Sequence, residues 1–90
     1  MSHPMFPLGE IVATAHAMAT LAHTDMQPAL QRHVNGDWGE VEEDDREANE
    51  RSLLHGDRLL SVYRSSKGVK FWIITEVDRS ATTVLLPEDY

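Results

Sequence analysis

Val69-Lys70-Phe71-Trp72-Ile73-Ile74-Thr75-Glu76 decides the fold. Successive side chains of an extended chain point to opposite sides, so Phe71 and Ile73 share one face and Trp72 and Ile74 the other. A strand apolar on both faces belongs in the middle of a sheet. Before it, Ser65-Ser66-Lys67-Gly68 has turn chemistry, and residues 58–64 alternate, with Leu60 and Val62 against Leu59, Ser61 and Tyr63. After it, Val77-Asp78-Arg79-Ser80 makes the next connection, and residues 81–86 form a third strand that Pro87 ends. Three consecutive strands with short turns predict an antiparallel meander.

The first half of the chain has a different period. Residues 8–14 read as a short strand around Ile11-Val12, able to join a sheet edge. Thr14 can cap a helix over 15–22, a stretch rich in strong helix formers. Thr24-Asp25 interrupts it. Pro28 suits the first turn of a second helix over 29–34, with Asn35-Gly36 as its stop and Leu30 and Val34 on one face, Met26 a turn earlier. Asp44 or Asp45 can cap a third helix that reaches Leu54-His55 and stops at Gly56. The expected fold class is α+β: an N-terminal short strand and two to three helices packed on one face of a C-terminal three-stranded antiparallel meander.

Ninety residues fit a single domain, 1–90, with 1–7 expected to be flexible. The absence of cysteine excludes a disulfide framework, a thiolate metal cage and a thiol nucleophile. The longest apolar runs, Trp72-Ile73-Ile74 and Val84-Leu85-Leu86, fall far short of a membrane span. The N-terminus shows neither a basic nor an apolar signal region, so a cytoplasmic location is expected.

Charge is the most informative feature. Asp37, Glu40, Glu42, Glu43, Asp44, Asp45, Glu47 and Glu50 stand against Arg46 alone, and this segment carries the whole net charge of −7. Direct nucleic-acid binding requires Lys and Arg to neutralise phosphates, and an anionic membrane surface requires the same, so both are expected to be excluded. A charge run is ordinarily a solvated helix face. Its concentration here also fits a surface that competes for a basic groove built for nucleic acid. Glu43 and Glu47 would stand about 6 Å apart along a helix, one turn of rise. Trp38, in the turn Gly36-Asp37-Trp38-Gly39, is read either as a core plug or as an anchor for a partner at the edge of that surface.

Other chemistry has less support. No GxGxxG, GxxxxGK[ST] or GxSxG occurs, so no cofactor is expected. Five histidines invite a metal, but none has ligand spacing: His16 and His23 lie seven apart on what reads as one helix, and there is no HExxH. A small RNase-like or other hydrolase could be built from His33 and Asp37 together with Glu76, Asp78 and Arg79, as base, acid and anion clamp. The plainer reading of 75–83 is a turn in which Asp78 and Ser80 bond local backbone.

Three long stretches carry a resemblance: His33-Val34-Asn35-Gly36-Asp37-Trp38-Gly39, Arg58-Leu59-Leu60-Ser61-Val62-Tyr63, and the run from Trp72-Ile73-Ile74-Thr75-Glu76-Val77-Asp78-Arg79-Ser80 through Leu85-Leu86-Pro87-Glu88-Asp89-Tyr90. With Leu8-Gly9-Glu10-Ile11-Val12-Ala13-Thr14 they span nearly the whole chain. It resembles a family of small proteins of bacterial genomes and mobile elements that often carry the label "type I restriction endonuclease subunit M". Where that family tends to have Ser-Pro at the second helix, this chain has Gln27-Pro28. The activity in the label does not fit. A modification subunit binds S-adenosylmethionine on a doubly wound sheet and flips a base, and no glycine-rich loop or Asn-Pro-Pro-aromatic motif is present.

The mobile-element association implies a protein that counters or regulates a host defence system. The expectation is therefore a non-enzymatic, acidic binding protein with a basic protein partner, a CRISPR effector or a restriction complex. Its partner-binding residues would be Trp38, Glu40, Glu42, Glu43, Asp44, Asp45, Glu47 and Glu50. The hydrolase is one alternative. A dimeric structural or regulatory protein, self-associating through a sheet edge or helix face, is the other.

Overall fold

The alternating strands form a four-stranded sheet in the order β1-β4-β3-β2, in a computed structural model that describes residues 4–90. β2 (Leu59–Arg64), β3 (Lys70–Thr75) and β4 (Ala81–Leu85) make the expected antiparallel meander, with Val62 opposite Trp72 and Ile73 opposite Val84. β3 is internal, as its two apolar faces require. β1 (Glu10–Ala13) joins the free edge of β4 in parallel, Ile11 beside Thr82. The fold is α+β.

α1 (Ala15–Thr20) starts at Thr14, whose hydroxyl accepts from the Ala17 N–H at 3.0 Å. It stops two residues short of the expected end. α2 (His23–Val34) begins six residues before the expected start and runs through Pro28. Pro28 removes one bond, to the carbonyl four residues back. The buried face Met26, Ala29, Leu30, His33 and Val34 outweighs that loss, because its helical spacing continues across the proline. α1 and α2 lie over one sheet face, where Ala17, Leu21, Met26 and Leu30 meet Tyr63, Phe71, Ile73 and Val84.

α3 (Glu43–His55) departs from the expectation that all helices cover a face. It seals the β2 edge instead. The Asn49 side chain donates to the Leu60 carbonyl at 2.7 Å and accepts from the Leu60 N–H at 3.0 Å. The neighbouring edge position is filled by main chain: the Val62 N–H donates to Trp38 and the Glu40 N–H to Val62. An open edge strand templates aggregation, and here the outward groups of Leu60 and Val62 are satisfied. The cap of α3 is Glu42, so Asp44 and Asp45 stand inside the first turn rather than at the cap, while Gly56 ends the helix at φ 78° as expected.

A second core gathers Phe6, Trp38 and Leu59, with Leu8, Val41 and Leu53 against them. Of the segment expected to be flexible, residues 1–3 lie outside the described residues. Residues 5 and 6 are tied down: Phe6 is buried, and the Met5 N–H donates to the Val34 carbonyl at 2.8 Å. A short 3₁₀ turn, η1 (Pro87–Asp89), closes the chain against β3 and α1, with Asp89 accepting from the Thr14 hydroxyl at 2.7 Å. Among the described residues no helix is long and apolar enough to cross a membrane.

Candidate functional site

The acidic run starts on a rigid turn. The Asp37 carboxylate takes two bonds from the Arg32 guanidinium, at 2.7 and 3.2 Å, which hold it below the usual carboxylate range. Arg32 lies 4.7 Å over the Tyr63 ring, and the Tyr63 hydroxyl donates to the Asp37 carbonyl at 2.6 Å. Burial pushes the Tyr63 phenol up to about 12. Gly39 then passes so close to β2 that a Cβ there would stand 2.0 Å from the Val62 carbonyl oxygen.

This turn drives Trp38 inward. The indole is 1% exposed, stacks on Phe6 at 6.3 Å, and donates its N–H to Glu50 Oε2 at 2.9 Å. The expectation that Trp38 anchors a partner is thereby corrected. Its ring is enclosed and its single donor is spent within the fold, so it presents nothing outward.

The carboxylates themselves face solvent. Glu40, Glu42, Glu43, Asp44, Asp45, Glu47 and Glu50 are all exposed. α3 turns Asn49 and Ser52 inward, which places Glu43, Glu47 and Glu50 on its outer face at helical spacing. Leu54, 83% exposed, continues that face. Three acids of the run have cations of the same molecule beside them: Asp37 with Arg32, Glu40 with Arg64 at 3.0 Å, and Glu43 with Arg46 at 3.6 Å. Glu42, Asp44, Asp45 and Glu47 make no ion pair among the described residues. The local field is reduced but not cancelled. Glu43, Asp44 and Asp45 also complement the positive end of the helix dipole.

Four residues of the hydrolase alternative, His33, Asp37, Asp78 and Arg79, make contacts within the fold, and Glu76 is half-buried. His33 is 0% exposed, with Nδ1 at 2.5 Å from Ser61 Oγ and Nε2 at 2.9 Å from Thr75 Oγ1. Burial, with the Arg79 charge in support, pushes its pKa down to about 4. Asp37 is held by Arg32. Arg79 spends its guanidinium on the carbonyls of Asp57, Ser52 and Glu76, at 2.6, 3.0 and 3.1 Å, joining the β3–β4 turn to the end of α3. Asp78 accepts from the Ser80 N–H at 3.0 Å, as the turn reading expects. His33, Asp37, Asp78 and Arg79 are thus each engaged in contacts of the fold itself.

His16 and His23 fall on different helices, correcting the single-helix reading. His16 pairs with Asp89 at 3.0 Å and His23 approaches Gln27 at 3.4 Å. Among the described residues no group of three or more His, Asp or Glu could hold a metal.

Sequence reasoning missed two features. The edge-sealing role of Asn49 left one trace, a buried-face amide in an otherwise charged helix. The second is a groove on the sheet face away from α1 and α2, assembled from α3, β2, β3 and the C-terminal turn. Comparisons with protein-family models, curated proteins and solved structures yield no match.

Proposed function

We propose that this chain is a non-enzymatic binding protein that docks the acidic face of α3 on a basic surface of a nucleic-acid-handling complex. In this reading it inhibits a CRISPR effector or a restriction complex in the cytoplasm, partly by standing in for nucleic acid. The observation that carries it is the exposure of Glu42, Asp44, Asp45 and Glu47 on and beside one helix, without compensating ion pairs among the described residues. The resemblance to the mobile-element family supports the choice of target. Complementary charge steers such an encounter and makes it sensitive to salt.

The test uses the variant Glu43→Gln/Asp44→Asn/Glu47→Gln. It leaves Glu50 in place because that carboxylate holds Trp38. The chain is titrated into a restriction complex and into a CRISPR effector, each carrying fluorescent duplex DNA, at low and high salt. The wild type should displace DNA at low salt, and the variant should do so more weakly with a shallower salt dependence. Equal affinity and equal salt dependence for the two chains would remove the reading.

The dimer alternative has an observation of its own. β1 is an outer strand with Ile11 52% and Met18 62% exposed beside it, and Val12 is exposed as well. Sedimentation across a concentration series decides it: a mass that doubles with concentration supports the dimer.

A further inference from the structure

The sheet face opposite α1 and α2 is only partly covered. Two hollows open on it, of about 330 and 310 Å³, and they meet at Asp45, Leu60 and Trp72, which line both. Together they make a groove between α3 and the C-terminal turn. Its floor is apolar: Leu60, Val62, Trp72 and Ile74. At one end the Tyr90 ring stands edge-on to Trp72 at 5.6 Å, held by Arg58, which donates to the Tyr90 hydroxyl at 2.9 Å.

The lining carries charge of both signs. On the α3 side stand Glu42 and Asp45, exposed and in no ion pair among the described residues, whereas Glu40 beside them is held by Arg64. The lining also holds two cations, Lys70 and Arg58, the latter engaged with the Tyr90 hydroxyl. An apolar floor beside two unpaired carboxylates repels phosphate from its α3 rim and matches an amphipathic segment bearing a cation.

We propose that this groove receives an arginine-bearing apolar segment of a protein partner, its apolar side chain on Leu60 and Trp72 and its guanidinium at Glu42 and Asp45. The inference rests on the reading of α3 as a docking element and names what the partner inserts beside it. Arginine fits better than lysine for two reasons. Its planar, weakly hydrated guanidinium stacks on an indole and bonds carboxylates in pairs, while an ammonium keeps its water. Lys70 and Arg58 repel a cation elsewhere along the lining, which leaves the α3 rim as its place. Asn49 is committed to the β2 edge and supplies the wall rather than the recognition.

The chain's two tryptophans make the test direct, since Trp38 is buried away from the groove and Trp72 lines it. The ¹⁵N-labelled full chain is titrated with acetyl-Phe-Arg-Leu-amide, and both indole N–H resonances are followed. The Trp72 signal should shift and saturate while the Trp38 signal stays. Acetyl-Phe-Glu-Leu-amide should bind much more weakly. Glu42→Gln/Asp45→Asn should weaken the arginine peptide about fivefold, the scale of two solvent-accessible ion pairs. An unmoved Trp72 signal, equal binding of the two peptides, or a Trp72 shift produced by single-stranded DNA would each overturn the proposal. The outer-face variant Glu43→Gln/Asp44→Asn/Glu47→Gln separates the two ideas. It should bind the peptide like wild type. A wild-type chain that binds the peptide but displaces no DNA sinks the docking reading alone, and one that displaces DNA but binds no peptide sinks the groove alone.

Discussion

His33 Nε2 stands 2.9 Å from Thr75 Oγ1, inside a hydroxyl chain whose direction is set at one end by a carbonyl. Thr82 donates to the Leu8 carbonyl at 2.7 Å, and so accepts from Thr75 at 2.7 Å. Thr75 must then accept from His33, which makes Nε2 the protonated nitrogen, and Ser61 donates to Nδ1. The chain links α2, β2, β3, β4 and the N-terminal segment through one neutral imidazole.

Acid should therefore destabilise the fold through His33. Its folded pKa is depressed from 6.5 to about 4. The contribution is fully present above pH 6.5 and is lost as pH falls from there through about 4, because the unfolded chain binds the proton more readily. The loss amounts to about 3 kcal/mol. Urea unfolding at a series of pH values should show it in the wild type and not in His33→Gln, whose amide donates and accepts without titrating. Parallel pH profiles for the two chains would contradict this account.

Gly39→Ala should cost about 3 kcal/mol or more, through a main-chain clash together with a left-handed backbone. Gly39 has φ 75°, and its Cβ would meet the Val62 carbonyl, which is fixed in β2. The loss of the Trp38–Val62 edge pairing should appear as a lowered melting temperature and a red-shifted Trp38 emission.

Arg79 combines a left-handed backbone, φ 61°, with a side chain that binds the carbonyls of Ser52, Asp57 and Glu76. Arg79→Ala should cost about 2 kcal/mol through those lost charge-assisted bonds. Arg79→Gly should cost about 1 kcal/mol less than Arg79→Ala, because glycine relieves the backbone penalty. Denaturant midpoints of the pair measure the difference, and an alanine variant equal to or better than glycine would argue against strain at this position.

The triple variant Glu43→Gln/Asp44→Asn/Glu47→Gln should stay folded. Removing two first-turn carboxylates from α3 gives up about 0.3–1 kcal/mol each at the helix dipole. Relief of repulsion between Glu43 and Glu47, one turn apart, offsets part of it. Circular dichroism should be unchanged, with a melting-temperature difference that shrinks as salt is added.

Several elements are legible in the sequence. The β2–β3–β4 meander follows from period-two alternation, the start of α1 from Thr14, and the end of α3 from Gly56. Each is a local property, carried by a residue and its immediate neighbours. The elements whose bounds differ from the local pattern depend on distant partners. Pro28 marks a helix start on propensity alone, but Met26 has core to bury, and α2 begins ahead of the proline. The concentration of acids was visible as a count, but not the arginines that approach three of them.

Periodicity and formal charge are written residue by residue, so the strand pattern, the fold class and the place where negative charge accumulates are local properties of the chain. The interior places of Trp38 and His33, the sealing of the β2 edge by α3 and the apolar groove beside the acidic rim arise in the folded arrangement. Those are matters of which segments meet across the chain, as with Ser61, Thr75 and Thr82 around His33, and the burial and pairing that result exist only once they do.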